Sequence, residues 1–173
     1  MKQLIIGGAR SGKSALAERL AEESGLDVIY LATATAEDNE MVERIRIHRE
    51  RRRDSWQLVE EPLHLAEALK ANADEERLLL VDCLTLWLTN LLLHSDPGLY
   101  EQERRALLDC LAQLPGRQIF VSNEVGMGIV PMGELNRRFQ DEAGWLNQAM
   151  AASCEQVILT VAGLPHYLKG KST

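Results

Sequence analysis

Gly7-Gly8-Ala9-Arg10-Ser11-Gly12-Lys13-Ser14 is the stretch that decides the fold. It follows a short apolar run, Leu4-Ile5-Ile6, and leads into a segment rich in Ala, Leu and Glu from Ser14 to Ser24. Every fixed position of the Gly-x4-Gly-Lys-Ser spacing is filled, and strand, loop and helix come in the order a Walker A phosphate loop requires. The chemistry explains the residue types. Gly7, Gly8 and Gly12 let backbone N–H groups wrap a β-phosphate, with Ala9, Arg10 and Ser11 completing the loop. The helix that starts near Lys13 aims its positive end at the same anion. Lys13 reaches the β- and γ-phosphates, and the Ser14 hydroxyl ligates Mg²⁺.

Four further apolar runs read as strands: Val28–Leu31, Leu78–Val81, Ile119–Ser122 and Val157–Val161. Most are nearly continuous in apolar residues, as strands buried on both faces of a parallel sheet are. Helical patterns separate them, at Asn39–Arg53, His64–Asn72, Leu84–Leu93, Tyr100–Gln113 and Glu134–Ser153, and Gly25 ends the first helix. The alternation predicts a P-loop NTPase-type, doubly wound α/β fold, with a mainly parallel sheet and helices on both faces. The 173 residues suit a single domain spanning 1–173. Asp82 ends the apolar run Leu78-Leu79-Leu80-Val81, the Walker B arrangement. That predicts a metal-linked carboxylate beside the phosphate loop at the carboxyl edge of the sheet. The plainer reading is a cap on the helix starting at Leu84.

Composition narrows the partners. A formal net charge of −7 argues against a broad nucleic-acid surface. Cys83, Cys110 and Cys154 are odd in number and lack CxxC spacing, which fits a reducing cytoplasm and gives neither a disulfide framework nor a zinc site. The most apolar stretch, Leu84 to Leu93, is broken by Thr85, Thr89 and Asn90 and is too short to span a membrane. The basic residues are not evenly spread, however. Arg44, Arg46, Arg49, Arg51, Arg52 and Arg53 cluster around His48. In a helix, Arg44, His48 and Arg51 or Arg52 would share one face. Taken alone, that segment reads as a solvated basic helix with an incidental histidine. His64, His94 and His166 read as surface or loop residues.

The end of the fourth run, Ser122-Asn123-Glu124-Val125-Gly126, has no Asn-Lys-x-Asp base-reading motif, so a regulatory GTPase is excluded. No transporter-type signature segment occurs either. The short chain favours a small-molecule kinase-like transferase. The Asn123–Pro131 segment follows a strand's carboxyl edge and holds Gly126 and Gly128, which predicts an active-site loop.

Several separate segments now share a resemblance. They are Gly7–Ser14, Tyr30-Leu31-Ala32-Thr33-Ala34, Glu40-Met41-x2-Arg44-Ile45-x2-His48-Arg49, and Trp56 with Glu60. To these are added Asp82 with Thr89-Asn90-Leu91-Leu92, Asn123-Glu124-Val125-Gly126-Met127-Gly128-Ile129-Val130-Pro131, and Arg138-Phe139-x-Asp141-x2-Gly144-x2-Asn147-Gln148. Together they resemble the bifunctional adenosylcobinamide kinase / adenosylcobinamide-phosphate guanylyltransferase family of cobalamin biosynthesis, over residues 3–169. The resemblance implies that His48 is the guanylylated histidine and Lys13 a catalytic partner. It implies nucleotide contacts from Gly7–Ser14, Ala32, Thr33, Ala34, Arg49, Glu50, Arg51, Arg52, Glu60 and Asp82. The metal positions are Ser14 and Asp82. The implied substrates are adenosylcobinamide and adenosylcobinamide phosphate, with GTP or ATP and Mg²⁺. A homo-oligomer is also implied, a trimer with the site near a subunit boundary. The physical reading agrees: nearby arginines disfavour the protonated imidazole and would hold a triphosphate. Two alternatives remain at this point, a P-loop kinase for another small alcohol and a nucleotide-gated binding protein.

Overall fold

The computed structural model describes residues 1–34 and 56–171. Its centre is a seven-stranded sheet built from β1 (Lys2–Gly7), β2 (Asp27–Ala32), β3 (Gln57–Glu60), β4 (Arg77–Asp82), β5 (Arg117–Asn123), β6 (Gln156–Val161) and β7 (Leu164–Lys169), in the order β3-β2-β4-β5-β1-β6-β7. Every pairing is parallel except β6 with β7. The described helices are α1 (Lys13–Glu23), α2 (Leu65–Asn72), α3 (Leu84–Leu93), α4 (Leu99–Leu111) and α5 (Glu134–Ser153). The helix expected at Asn39–Arg53 lies outside the described residues.

Successive side chains of a strand point to opposite faces, so a strand buried on both faces must be apolar throughout. The inner strands show this directly. Leu4, Ile29, Leu31, Leu79, Val81 and Phe120 face one core, where Leu65, Leu69, Trp87, Leu88, Leu107, Leu146 and Met150 of α2 to α5 cover them. Ile5, Val28, Tyr30, Leu78, Leu80, Ile119 and Val121 face the other, packed by Leu16, Ala17 and Ala21 of α1. Helices therefore lie on both faces, as the alternation predicted.

The five apolar runs are β1, β2, β4, β5 and β6. Two edge strands had no such signal. β3 is four residues long and mostly exposed. β7 is exposed at five of its six positions and carries Pro165, which an edge strand tolerates. A two-residue turn joins β6 to β7, with Ala162 at φ 52 and Gly163 at φ 79. Both positive values match the tight hairpin turns that follow strand twist. His166 therefore sits on an exposed strand.

One further outcome bears on the site. β5 lies between β1 and β4, so Asp82 shares the carboxyl edge with the phosphate loop but is one strand removed from β1. The residue beside Gly7 in register is Asn123.

Candidate active site

β1 delivers the chain to the phosphate loop at Gly7, which is flanked by Asn123 of β5 and Thr160 of β6. Gly7 is buried, and a Cβ there would meet the Thr160 carbonyl oxygen and Ser11 Oγ at 2.5 Å. Gly8, Ala9 and Arg10 are exposed at the loop tip. Arg10 adopts φ 56, a left-handed conformation that is uncommon for a side chain of that size. Gly12 turns the loop into α1 at φ 95 and lies against the β6–β7 turn, where the Gly163 N–H donates to the Ser11 carbonyl at 2.8 Å. Among the described residues no side chain caps α1. Its first N–H groups and its dipole thus face the loop, as an anion site requires. Lys13 Nζ arches back over the loop and donates to the Gly8 carbonyl at 3.2 Å. Ser14 occupies the first turn of α1.

Across the sheet, three candidate positions fall into one register row. Glu60 on β3 pairs with Ala32 on β2, and Ala32 pairs with Asp82 on β4. The Asp82 carboxylate accepts a hydrogen bond from the buried Tyr30 hydroxyl at 3.1 Å. It does not cap α3, whose N-cap residue is Cys83 and whose start has no side-chain cap. Thr33 is fully buried, and its hydroxyl donates to the Cys83 carbonyl at 2.7 Å and accepts from the Cys83 N–H at 2.9 Å. Asn90 of α3 donates to the carbonyls of Thr33, at 2.8 Å, and Pro62, at 3.1 Å. Thr33 thus holds together the ends of β2 and β4. The Cys83 thiol is pushed up to about 11, by burial first and by Asp82 second, so it stays protonated at neutral pH.

The loop after β5 is tied to the same edge. The Glu124 N–H donates to the Gly7 carbonyl at 3.0 Å. The Asn123 N–H donates to Thr85 Oγ1 at 2.9 Å. From α5, Asn147 donates to the Asn123 carbonyl at 3.2 Å and Gln140 to the Val125 carbonyl at 3.0 Å. Polar side chains of α3 and α5 therefore fix the root of this loop from below.

The family described as cobinamide kinase / cobinamide phosphate guanyltransferase matches residues 3–168. The chain belongs to this family. It is 64% identical over 171 residues to the bifunctional adenosylcobalamin biosynthesis protein CobP of Pseudomonas aeruginosa, covering 99% of both chains. It is 39% identical to the bifunctional adenosylcobalamin biosynthesis protein CobU of Escherichia coli K12, covering 95% of this chain and 97% of that one. Among solved structures, a Pyrococcus horikoshii OT3 protein superposes with TM-score 0.57 at 9% identity, covering 99% of this chain and 87% of that one. The RadB recombinase superposes with TM-score 0.53 at 18% identity, covering 91% and 73%. These two likenesses concern the fold alone.

For a cobinamide kinase / cobinamide phosphate guanyltransferase, the described residues gather Gly7–Ser14, Ala32–Ala34, Glu60 and Asp82 at one edge of the sheet. His48, Arg49, Glu50, Arg51 and Arg52 lie outside the described residues. The sequence reading missed Tyr30, Thr85 and Asn90 as parts of this edge. A signal for each was present. A tyrosine within an otherwise apolar buried strand needs a hydroxyl partner. Polar residues inside the apolar Leu84–Leu93 helix need partners too. Asp82 and Ser14 are a plausible oxygen set for Mg²⁺, a hard ion that commonly takes one or two protein oxygens and fills its sphere with phosphate and water. No cluster of three or more His, Cys, Asp or Glu competes for a metal among the described residues. Among those residues, too, no helix is long and apolar enough to cross a membrane.

Proposed function

We propose that this chain phosphorylates adenosylcobinamide with ATP or GTP, then transfers GMP from GTP to adenosylcobinamide phosphate through a guanylyl-histidine at His48. The carrying observation is the phosphate loop of Gly7–Ser14 at the same sheet edge as the Glu60–Ala32–Asp82 row, in a chain of this family. In the first step the substrate hydroxyl oxygen attacks the γ-phosphorus. The bond from the γ-phosphorus to the β–γ bridging oxygen breaks, the nucleoside diphosphate leaves, and the hydroxyl proton passes to solvent. Lys13 and the α1 N-terminus hold the charge that develops. In the second step a neutral ring nitrogen of His48 attacks the α-phosphorus of GTP and pyrophosphate departs. A phosphate oxygen of adenosylcobinamide phosphate then attacks the guanylyl-histidine, the N–P bond breaks, and neutral His48 returns. Arg49, Arg51 and Arg52 suit a triphosphate or the departing pyrophosphate. Ser14 and Asp82 would hold Mg²⁺, which neutralises phosphate charge when bound. Thr33 serves as scaffold, because its hydroxyl is spent on Cys83. We further place the enzyme in the cytoplasm, as one domain over 1–173 assembled into a homo-oligomer, a trimer.

His48→Asn tests the two-step scheme. Guanylyl transfer should vanish, while the kinase step, which needs no protein nucleophile, keeps much of its rate. Equal loss of both rates in a folded variant would assign His48 to shared phosphate binding.

A further inference from the structure

The segment after β5 ends in an apolar surface that the two-step scheme does not use. Met127 is 79% exposed, Ile129 97%, Val130 63% and Met132 96%, and Leu135 at the start of α5 is 48% exposed. Scattered exposed apolar residues are ordinary, but a run of five within nine positions marks a contact surface. The root of the segment is fixed by the Glu124–Gly7, Gln140–Val125 and Asn147–Asn123 hydrogen bonds. Arg137 reaches back from α5 to the carbonyls of Pro131 and Met132. The apolar side chains are thus presented from a held backbone that leaves the sheet beside the phosphate loop.

We propose that this surface seats the corrin ring of the acceptor substrate. The inference rests on the function proposed above and adds the place of the acceptor. The argument is one of reach and chemistry. The substrate hydroxyl must stand in line with the γ-phosphorus, yet it is a small appendage of a large, flat macrocycle. The macrocycle therefore needs a bed continuous with the phosphate loop, and the Glu124–Gly7 hydrogen bond supplies that continuity. Its methyl-bearing faces match Met127, Ile129, Val130 and Met132. Its peripheral amides match the exposed polar side chains of Asn136 and Arg138 in the first turns of α5. Methionine suits such a bed because its unbranched thioether adapts to an irregular face. Phosphate and triphosphate are served by the loop itself and gain nothing from apolar side chains.

The double variant Ile129→Ser/Met132→Ser tests the proposal in the full-length protein. Both side chains are almost fully exposed, so the fold should be indifferent to the change, and an unaltered thermal midpoint verifies this. The readouts are the KM for cobinamide in the kinase assay and direct equilibrium dialysis of cobinamide, followed by its visible absorbance. Losing the contact area of two apolar side chains predicts a loss of cobinamide affinity of at least about tenfold, with the nucleotide KM moving less than about twofold. Unchanged cobinamide binding would overturn the proposal. So would an equal rise in the nucleotide KM, which would make this a nucleotide surface. A smaller assembly by sedimentation with unchanged cobinamide affinity would also overturn it and assign the surface to contacts between copies. Formation of a covalent guanylyl adduct from GTP alone involves no corrinoid, so failure of the histidine scheme is read separately from failure of the corrin bed.

Discussion

Replacing Tyr30 with Phe removes one hydroxyl and nothing else. The ring is 3% exposed within the core on the α1 side, and Phe refills the same space. The lost contact is the 3.1 Å hydrogen bond to the Asp82 carboxylate. Hydrogen bonds to charged groups contribute about 1.5–3 kcal/mol, but Asp82 is only partly buried and can recruit water, so about 1 kcal/mol is expected. For a chain of this size that lowers Tm by about 2–4 °C. The functional effect should be larger. If Asp82 helps hold Mg²⁺, the tyrosine fixes which carboxylate oxygen faces the cation, and losing such a partner weakens metal affinity about tenfold or more. The assay is kinase rate against Mg²⁺ at saturating nucleotide. Half-saturation should shift up about tenfold, with the rate largely restored at high Mg²⁺. In an Asp82→Asn background the same change should add little, because the two residues act as one unit. An unchanged magnesium titration, or full additivity of the two substitutions, would refute the reasoning.

Gly7→Ala would set a methyl group 2.5 Å from the Thr160 carbonyl and Ser11 Oγ, so thermal unfolding should show a loss of about 1–3 kcal/mol, and nucleotide KM should rise as the loop shifts. Lys13→Ala should remove both activities from a protein that still folds, since Lys13 serves the β- and γ-phosphates in either step; a near-normal rate in either assay would separate that step from this loop. His64 pairs with the buried Glu103 at 2.8 Å, and this hydrogen bond, outweighing desolvation, raises its pKa above 6.5. The stability from that raised pKa is full below the unfolded value and fades as pH rises through the folded one. His64→Gln should therefore lower Tm more at about pH 5.5 than at about pH 8.5, and the reverse order would contradict the pairing.

The legibility of this chain follows burial. Strands such as Leu78-Leu79-Leu80-Val81 announced themselves because both faces are covered. β3 and β7 did not, because edge strands need only backbone partners and can keep an exposed, mixed pattern. The insertion of β5 between β1 and β4 was hidden for another reason. Strand order in a parallel sheet is set by where crossovers pack, and no local pattern records that. The candidate site shows the same division. Gly7–Ser14 and Asp82 stand out because phosphate and metal chemistry dictate residue type and spacing. Thr85 and Asn90 looked like mere interruptions of an apolar helix, since their partners, the Asn123 N–H and the Thr33 and Pro62 carbonyls, lie 28 to 57 residues away in the chain. His48 was ambiguous in its own basic segment and gained a role only through the resemblance of the whole chain.

The covalent step is the central claim, and one labelling experiment tests it most directly. Purified enzyme is incubated with Mg²⁺ and GTP carrying ³²P at either the α- or the γ-position, denatured, and digested for peptide mapping. The α-label should stay on the protein in an acid-labile, base-stable bond, as a phosphoramidate does, and should map to the peptide containing His48. The γ-label should leave with pyrophosphate. GMP transfer to adenosylcobinamide phosphate without any retained α-label, or label retained by His48→Asn, would contradict the account.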